Sequence, residues 1–301
     1  MDTQIPLSVR GVSKSFGGGF DLLRLLPWHR NGTRPRGPRR VVDDVSFEVR
    51  RGEIFGVIGA NGSGKSTLIR MISTLLLPDA GGVRVFGYDA VGDSMRVRPL
   101  INRVSADPSF FRTMSALENL MFFGRVYGLT PAQIKSRAPV ILGRLGMEWE
   151  RALEPMSNLS RGQQQKIAVA RSFLTSPVLL LMDEPTTGLD PRSKFDVQAF
   201  IRDVQREHDA TILLTTHDMA EAELLCDRIA FLSGGRIVAF GTPLELREMV
   251  ADGRPIESIN METVFMELTG RSVEEDEVVE EGAVPAAAGM ARDREKEGNV
   301  P

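Results

Sequence analysis

One glycine-rich stretch decides the fold of this chain: Gly59-Ala60-Asn61-Gly62-Ser63-Gly64-Lys65-Ser66-Thr67. It fits the pattern G-x-x-x-x-G-K-[ST], which is informative where a strand precedes it and a helix follows it. Residues 53–58 are apolar enough to form a buried strand, and residues 66–72 have the apolar spacing of an amphipathic helix. The stretch is therefore predicted to be a phosphate-binding loop rather than an accidental glycine-rich turn.

The residue types in this loop match the chemistry of triphosphate binding. Glycines let consecutive backbone N–H groups point inward at a helix N-terminus, where they attract anions. Lys65 is predicted to reach the β- and γ-phosphates, and the hydroxyl of Ser66 is predicted to ligate Mg²⁺. We expect nucleotide contacts along the whole loop, from Gly59, Asn61, Gly62, Ser63, Gly64, Lys65, Ser66 and Thr67.

Length and composition limit the class of protein. The 301 residues are 42% hydrophobic and 26% charged, as in a soluble globular chain of one or two domains. Cys226 is the single cysteine, so an internal disulfide and a multi-cysteine metal site are excluded, and its apolar surroundings favour burial. No apolar run reaches the ~18–20 residues that cross a bilayer, and no signal peptide is expected at the N-terminus. Any membrane-spanning part is expected on another chain.

The pattern of apolar residues predicts a parallel sheet covered by helices on both faces. Residues 178–182 and 211–215 are near-continuous apolar strands, and a helix is predicted between them from 193 to 208. Residues 5–16 and 41–58 are predicted to be rich in strands, because apolar and polar residues alternate in this region.

Three further regions are distinguished by their composition. Residues 94–175 are predicted to form a mainly helical inserted subdomain, and residues 243–271 a helical extension. From Ser272 to Pro301 there are nine acidic and three basic residues, so this segment carries −6 whereas the whole chain carries −3. We expect 272–301 to be a disordered acidic tail. The mild positive charge that remains on the rest of the chain does not indicate a nucleic-acid binder.

Residues 17–40 interrupt the strand pattern with glycines, a short apolar run and a proline- and arginine-rich end. The favoured interpretation is a mobile insertion at a hairpin tip. The alternative is a basic amphipathic element that touches lipid headgroups or a membrane partner. The apolar run is short and ends in proline, which favours the first interpretation.

Two adjacent carboxylates follow the strand at 178–182. Asp183 and Glu184 would meet the bound nucleotide at the C-terminal end of this strand. Asp183 is predicted to hold Mg²⁺, and Glu184 is predicted to be the general base or the group that orients the attacking water. A strand-end Asp-Glu pair is weak evidence alone and strong beside a phosphate-binding loop.

The segment Leu159-Ser160-Arg161-Gly162-Gln163-Gln164 resembles the signature motif of ATP-binding cassette (ABC) ATPases, usually Leu-Ser-Gly-Gly-Gln. The order of motifs is also similar: phosphate loop, signature, Asp183-Glu184, Thr187-Gly188-Leu189-Asp190 and a histidine, His217. The resemblance covers roughly residues 5–270. It implies an α/β fold, with a P-loop NTPase core of ABC type, an antiparallel β subdomain and an inserted α-helical subdomain, in an ABC ATPase domain at residues 5–242.

The resemblance also implies a head-to-tail dimer in which the phosphate loop of one cassette and the signature of the other clamp each ATP. Ser160, Gly162 and Gln163 are then nucleotide-binding residues, because Ser160 would cap a helix N-terminus that faces the γ-phosphate. Asp190 is implied to be a contact between the two sites.

Two further roles follow from the same resemblance. His217 is implied to contact the γ-phosphate and to steady Glu184. Phe16 occupies the position of an aromatic residue that stacks on adenine, and the alternative is an ordinary core phenylalanine.

The sequence departs from the family pattern at two positions. Arg161 replaces the first glycine of the signature pair, which need not impair binding if only its backbone approaches the nucleotide. Ala106 stands where the family has a glutamine that contacts Mg²⁺ and senses the transporter partner. Alanine cannot ligate a metal, and the adjacent Asp107 is a substitute that nothing in the sequence favours.

We predict the ATP-binding and ATP-hydrolysing subunit of an ABC exporter, dependent on ATP and Mg²⁺. Its expected partners are a transmembrane permease on a separate chain and a second cassette, which is either a copy of this chain or a related one. It would be a peripheral protein at the cytoplasmic face of the cell membrane. The alternative is a soluble ABC ATPase that acts on nucleic acid or ribosomes. No nucleic-acid partner is expected, because tandem cassettes, a coiled-coil insertion and a zinc-binding cysteine set are all absent from the sequence.

Overall fold

The computed structural model describes residues 5–17, 37–175 and 177–270. Most of the predicted 17–40 insertion and the predicted acidic tail at 272–301 lie outside this part of the chain. Among the helices of the described residues, none is both long and apolar enough to cross a bilayer.

An antiparallel sheet of four strands forms the first layer. Its strands are β1 (Leu7–Phe16), β2 (Arg39–Val49), β4 (Ala80–Val85) and β5 (Tyr88–Asp89), in the order β2-β1-β4-β5. Its polar and apolar side chains alternate as expected for a sheet with one buried face. This sheet carries Phe16 at the end of β1.

A six-stranded sheet forms the centre of the molecule. It contains β3 (Ile54–Ile58), β6 (Ile101–Val104), β7 (Leu179–Asp183), β8 (Thr211–Thr216), β9 (Arg228–Ser233) and β10 (Arg236–Gly241). The order is β10-β9-β3-β8-β7-β6, and all neighbouring pairs are parallel except β9 with β10. The buried apolar strands β7 and β8 belong to a parallel sheet, as the sequence predicts, and β3 lies beside β8.

Ten α-helices are described around these sheets. They are α1 (Lys65–Ile72), α2 (Ser94–Val97), α3 (Ala116–Val126), α4 (Pro131–Arg144), α5 (Trp149–Ala152), α6 (Arg161–Phe173), α7 (Pro191–His208), α8 (Met219–Leu225), α9 (Pro243–Val250) and α10 (Met261–Thr269). Helices α3 to α6 lie within the predicted helical subdomain. Helices α9 and α10 lie within the predicted C-terminal extension.

Two apolar clusters hold the layers together. One lies between the two sheets and includes α1, and the other joins the opposite face of the central sheet to α3, α4 and α6 to α10. Cys226 is buried in the second cluster, where burial raises the pKa of its thiol. It is therefore a small buried side chain, as the sequence predicts.

One region differs from the prediction. Residues 101–104 were expected within a helical subdomain, but they form β6, the edge strand of the central sheet beside β7. The reason is tertiary: β6 is only four residues long, and hydrogen bonds to β7 define it where its own sequence does not. The helical block therefore begins after β6.

Candidate active site

The register of the central sheet brings the predicted residues to one edge. In the parallel pair of β3 and β8, Ile58 lies beside Thr216, and in the pair of β7 and β8, Asp183 lies beside Thr215. Because parallel strands end at the same edge, the loop after β3, the carboxylates after β7 and His217 after β8 meet there.

The loop from Gly59 to Gly64 requires its glycines. Gly62 and Gly64 have φ angles of 74° and 109°, in the left-handed region that favours glycine. A Cβ on Gly59 would lie 2.2 Å from the carbonyl oxygen of Leu232, and one on Gly64 would lie 2.5 Å from that of Val41. The loop therefore holds a tight turn that leads into α1, and a helix N-terminus of this kind attracts anions.

Lys65 and Ser63 are positioned to bind a phosphate. The Lys65 ammonium is buried, and it donates hydrogen bonds to the carbonyl oxygens of Gly59 at 2.7 Å and Ala60 at 2.8 Å. The Oγ atom of Ser63 is buried without a hydrogen-bond partner among the described residues. A buried hydroxyl of this kind needs a partner, which a phosphate oxygen would supply. The loop thus fits the triphosphate of ATP.

Asp183 ends β7 and is hydrogen bonded through both carboxylate oxygens. Its Oδ1 accepts from Ser66 Oγ at 3.0 Å and from Thr215 Oγ1 at 2.9 Å. Its Oδ2 accepts from Arg103 Nη2 at 3.1 Å. A hydroxyl and a carboxylate in contact match the oxygen ligands that Mg²⁺ prefers, so Ser66 and Asp183 fit a magnesium site.

Glu184 is fixed by its backbone as well as by its side chain. Its φ angle of 50° is uncommon for a residue with a Cβ, and its N–H donates to the carbonyl of Thr215 at 3.0 Å. Backbone conformations of this kind are found at many functional sites. The resulting position directs the Glu184 carboxylate into the site.

Three side chains surround the Glu184 carboxylate. Thr187 Oγ1 donates to its Oε2 at 3.0 Å, Lys65 Nζ lies 3.3 Å from its Oε1, and His217 Nδ1 lies 3.3 Å from its Oε2. Burial favours the neutral acid, but the nearby His217 and the charge of Lys65 outweigh it and lower the pKa of Glu184 to about 2. Glu184 is therefore an anion at neutral pH. The structure brings the three predicted catalytic residues Glu184, His217 and Lys65 into contact.

The signature segment begins helix α6. Ser160 caps this helix: its hydroxyl accepts from the N–H of Gln163, and the Gln163 side chain accepts from the N–H of Ser160. Ser160 is exposed, whereas Gly162 is buried against α7, where an added Cβ would lie 2.6 Å from Ser193 Oγ. Gly162 therefore has a packing role that the sequence does not reveal.

Asp190 and Arg161 also make contacts within the chain. Asp190 caps α7 by accepting from the N–H of Ser193 at 3.0 Å, and these hydrogen bonds lower its pKa. The guanidinium of Arg161 lies against Gly188, 3.0 Å from the position of an added Cβ. The Arg161 side chain thus packs on the loop before α7. A role for Asp190 between two cassettes stays a prediction.

The remaining predicted residues lie at the margin of the site. Asn61 is exposed in the loop, and Thr67 is half-buried in the first turn of α1. The ring of Phe16 is 44% exposed at the end of β1, with the Lys14 ammonium 5.8 Å from its centroid. An exposed ring can stack on a base, and this role also stays a prediction.

Two contacts of the site were not predicted. Arg103 forms an ion pair with Asp183, and Thr187 donates to Glu184. Thr187 is part of a motif that the sequence did indicate, but Arg103 depends on β6, which the sequence did not indicate. The available indication was a charged residue in the short segment Ile101–Val104, which begins and ends with a β-branched apolar residue.

Comparisons with known proteins agree with this geometry. Residues 42–187 match the family model described as ABC transporter. The linearmycin resistance ATP-binding protein LnrL of Bacillus subtilis (strain 168) is 38% identical over 210 residues, which cover 70% of this chain and 67% of that protein. The chain belongs to the family of ABC transporter ATP-binding proteins.

Another relative and a solved structure extend this likeness. The Nod factor export ATP-binding protein I of Ralstonia nicotianae (strain ATCC BAA-1114 / GMI1000) is 43% identical over 220 residues, 71% of this chain and 67% of that protein. The solved ATP-binding subunit of an ABC transporter superposes with a TM-score of 0.71 at 29% identity, covering 87% of this chain and 98% of that one. The predicted ABC-type fold is confirmed.

These comparisons confirm that the chain is an ATP-binding protein and an ATPase of an ABC transporter. The prediction of an exporter-type cassette agrees with relatives named for export and drug resistance. The alternative of an ATPase that acts on nucleic acid or ribosomes is not favoured.

Proposed function

We propose that this ABC ATPase powers an exporter, working as one of two cassettes bound to a transmembrane permease on a separate chain at the cytoplasmic face of the cell membrane. The observation that carries the proposal is the meeting of Lys65, Asp183, Glu184 and His217 at one sheet edge. The names of the relatives support the direction of transport. The cargo would be selected by the permease.

Hydrolysis is assigned to Glu184 acting on a water molecule. A carboxylate with a pKa of about 2 is a weak base, because an effective general base has a pKa near the working pH. Lys65 contributes to this low value, and the same ammonium would be drawn towards the phosphates of ATP. As its charge shifts to the nucleotide, Glu184 would become more basic. Binding of ATP would thereby activate its own hydrolysis.

His217 and Thr187 would keep the Glu184 carboxylate oriented while Lys65 moves. Both contact Oε2, whereas Lys65 approaches Oε1, so one oxygen stays held and the other is available to water. Mg²⁺, held by Ser66 and Asp183, would supply positive charge to the phosphate oxygens.

Two cassettes would face each other so that the exposed Ser160 of one lies at the phosphate loop of the other. In each chain, Ser160 stands at the N-terminus of α6, where a γ-phosphate would be attracted by the free N–H groups and the helix dipole. Loss of that phosphate on hydrolysis would remove part of the attraction between the cassettes. Nucleotide turnover would in this way open and close the pair.

The permease would dock on an aromatic cluster of the helical block. Phe111, Phe122 and Phe123 form this cluster, and the first two are 45% and 43% exposed. The Arg171 guanidinium lies 4.6 Å from the centroid of the Phe123 ring and ties the cluster to α6. Exposed aromatic side chains backed by a rigid helix are typical of a binding surface.

The dimer is tested with Glu184→Gln, which keeps the shape of the side chain and removes its charge. With Mg-ATP, this variant is expected to hydrolyse slowly and to sediment as a dimer, whereas the control Glu248→Gln on the exposed face of α9 should behave as wild type. Adding Ser160→Arg to Glu184→Gln should return the protein to a monomer. A Glu184→Gln protein that stays monomeric with saturating Mg-ATP would contradict the head-to-tail pair.

The permease surface is tested by co-purification from detergent-solubilised membranes of the source cell. Wild type is expected to retain a multi-spanning membrane protein, identified by mass spectrometry. Phe122→Ser should lose it, and Met95→Ser, a change at an exposed apolar side chain of α2, should keep it. Equal retention by both variants would place the docking surface elsewhere.

A further inference from the structure

The carboxylate of Asp183 forms an ion pair with the side chain of Arg103. Arg103 lies on β6 beside Leu181 of β7, and its Nη2 atom is 3.1 Å from Asp183 Oδ2. The Asp183 side chain is 4% exposed and that of Arg103 is 21% exposed, so water screens this pair only weakly. The other oxygen of Asp183 is occupied by hydroxyl donors from Ser66 and Thr215. The pair therefore directly adjoins the predicted magnesium ligands.

Stability alone does not explain an arginine at this position. Replacing a buried ion pair by apolar side chains is often neutral or favourable, and Ile101 and Val104 on the same strand are buried apolar residues. The Nε atom of Arg103 is also buried without a hydrogen-bond partner within the described part of the chain. An unmade hydrogen bond of this kind is costly. The arginine is thus better explained by what it does to Asp183.

Each of the two carboxylates of the site is paired with a positively charged side chain. Lys65 lies 3.3 Å from Glu184, and Arg103 lies 3.1 Å from Asp183. The two cations differ in one respect: Lys65 belongs to the phosphate loop and is positioned to bind phosphate, whereas Arg103 lies on the opposite side of Asp183, on the edge strand. Ala106, which follows β6, provides no oxygen ligand.

We propose that Arg103 is a positioning residue that acts as the counter-ion of Asp183. It holds the carboxylate in its orientation when no divalent cation is bound, and it weakens the binding of a free divalent cation, so that the metal enters with the nucleotide. This inference rests on the proposed role of Asp183 in holding Mg²⁺.

The direct test is a titration of the nucleotide-free protein with Mn²⁺, followed by electron paramagnetic resonance. A neighbouring charge changes the affinity of a carboxylate for a proton by roughly 10- to 1000-fold, and a second cation experiences the same field. Arg103→Met is therefore expected to bind Mn²⁺ on the order of tenfold more tightly than wild type. Arg103→Lys, which keeps the charge, should stay close to wild type.

Two control variants separate this effect from a general change in the protein. In an Asp183→Asn background, Arg103→Met should no longer tighten Mn²⁺ binding, because the carboxylate is gone. Arg228→Met breaks a comparable buried pair, Arg228 with Glu53 at 3.3 Å, away from the site. It should leave Mn²⁺ binding unchanged.

Thermal unfolding gives a second readout that a merely structural ion pair would not produce. Arg103→Met should unfold at a lower temperature than wild type in EDTA and should regain most of the difference in millimolar Mg²⁺. Arg228→Met should unfold at a lower temperature in both. If Arg103→Met does not fold, Arg103→Gln is neutral and more polar, and it is measured in the same way.

The outcomes distinguish this inference from the proposed function. Unchanged Mn²⁺ affinity in the neutral variants, with a wild type that hydrolyses Mg-ATP, would overturn the role of Arg103 and leave the function standing. A loss of thermal stability that Mg²⁺ does not reverse would reduce Arg103 to a structural residue. A wild type that neither hydrolyses ATP nor binds Mn²⁺ with ATP would instead refute the proposed function.

Discussion

The glycine at position 162 gives a sharp test of how the signature helix is placed. An added Cβ there would lie 2.6 Å from Ser193 Oγ, 3.0 Å from Ser193 Cβ and 3.1 Å from Asp190 Oδ2. Ser193 stands in the first turn of α7, where its N–H is bonded to Asp190. We therefore expect Gly162→Ala to force α6 and α7 apart.

Two effects of opposite sign determine how much Gly162→Ala changes the free energy of unfolding. Overpacking a dense interior costs about 1–3 kcal/mol, and alanine in place of glycine inside a helix returns about 0.5–1 kcal/mol. The expected net result is a loss of about 1–2 kcal/mol in the free energy of unfolding. Asp190 is exposed and can turn aside, so Ser193 causes most of the loss.

Equilibrium unfolding in urea measures this loss of stability in a double-mutant cycle of Gly162→Ala and Ser193→Gly. Ser193→Gly removes both Ser193 atoms that an alanine at 162 would meet and leaves only the contact with Asp190 Oδ2. In that background Gly162→Ala should be neutral or stabilising by up to about 1 kcal/mol, because the helix preference then outweighs the remaining contact. A Gly162→Ala single variant that is more stable than wild type would refute the close approach of α6 and α7.

The other predictions concern the ATP site and its partner. Because the pKa of Glu184 is lowered from 4.5 to about 2, its charge stabilises the fold fully above pH 4.5. This contribution, on the order of 3 kcal/mol, is lost as the pH falls from 4.5 through 2. Glu184→Gln should flatten the acid limb of stability against pH in urea unfolding, and an unchanged limb would contradict the lowered pKa. Ser66→Ala should raise the Mg²⁺ concentration for half-maximal hydrolysis by roughly tenfold, since a ligand is lost; an equal Mg²⁺ requirement would exclude Ser66. Ala106→Gln should increase the permease-stimulated ATPase rate and leave the basal rate near that of wild type. Unchanged stimulation would mean that position 106 is bypassed.

The parts of the site that follow from local chemistry could be predicted from the sequence. The turn at Gly62 and Gly64, the helix that starts at Lys65 and the cap at Ser160 each depend on residues a few positions away. The apolar runs at 178–182 and 211–215 likewise indicate two strands, although the register that places Asp183 beside Thr215 is seen only in the structure. For such features, residue type and spacing are sufficient information.

The features that were missed depend on contacts between distant segments. Strand β6 is defined by its hydrogen bonds to β7. Its own four residues include Asn102 and Arg103, which do not indicate a strand. Without β6, Arg103 cannot be placed beside Asp183. The packing role of Gly162 likewise appears only when α6 and α7 are in contact. The sequence indicates the candidate site residues, and the tertiary structure shows which charged side chains lie beside them.

Helix α6 contacts both the proposed permease surface and the segment that follows β6. Towards the permease surface, Arg171 of α6 lies 4.6 Å from the centroid of the Phe123 ring. Towards the site, Gln165 donates to the carbonyl of Ser105 at 3.2 Å, and Lys166 pairs with Asp196 of α7 at 2.7 Å in a buried ion pair. Helix α7 follows directly on the loop that carries Glu184. We therefore expect a displacement of the aromatic cluster to be transmitted through α6 and α7 to the loop that carries Glu184, without a glutamine at position 106. Breaking the ion pair by Lys166→Met should then reduce stimulation by the permease more than it reduces the basal rate, and equal reductions of both rates would show that α6 does not carry the coupling.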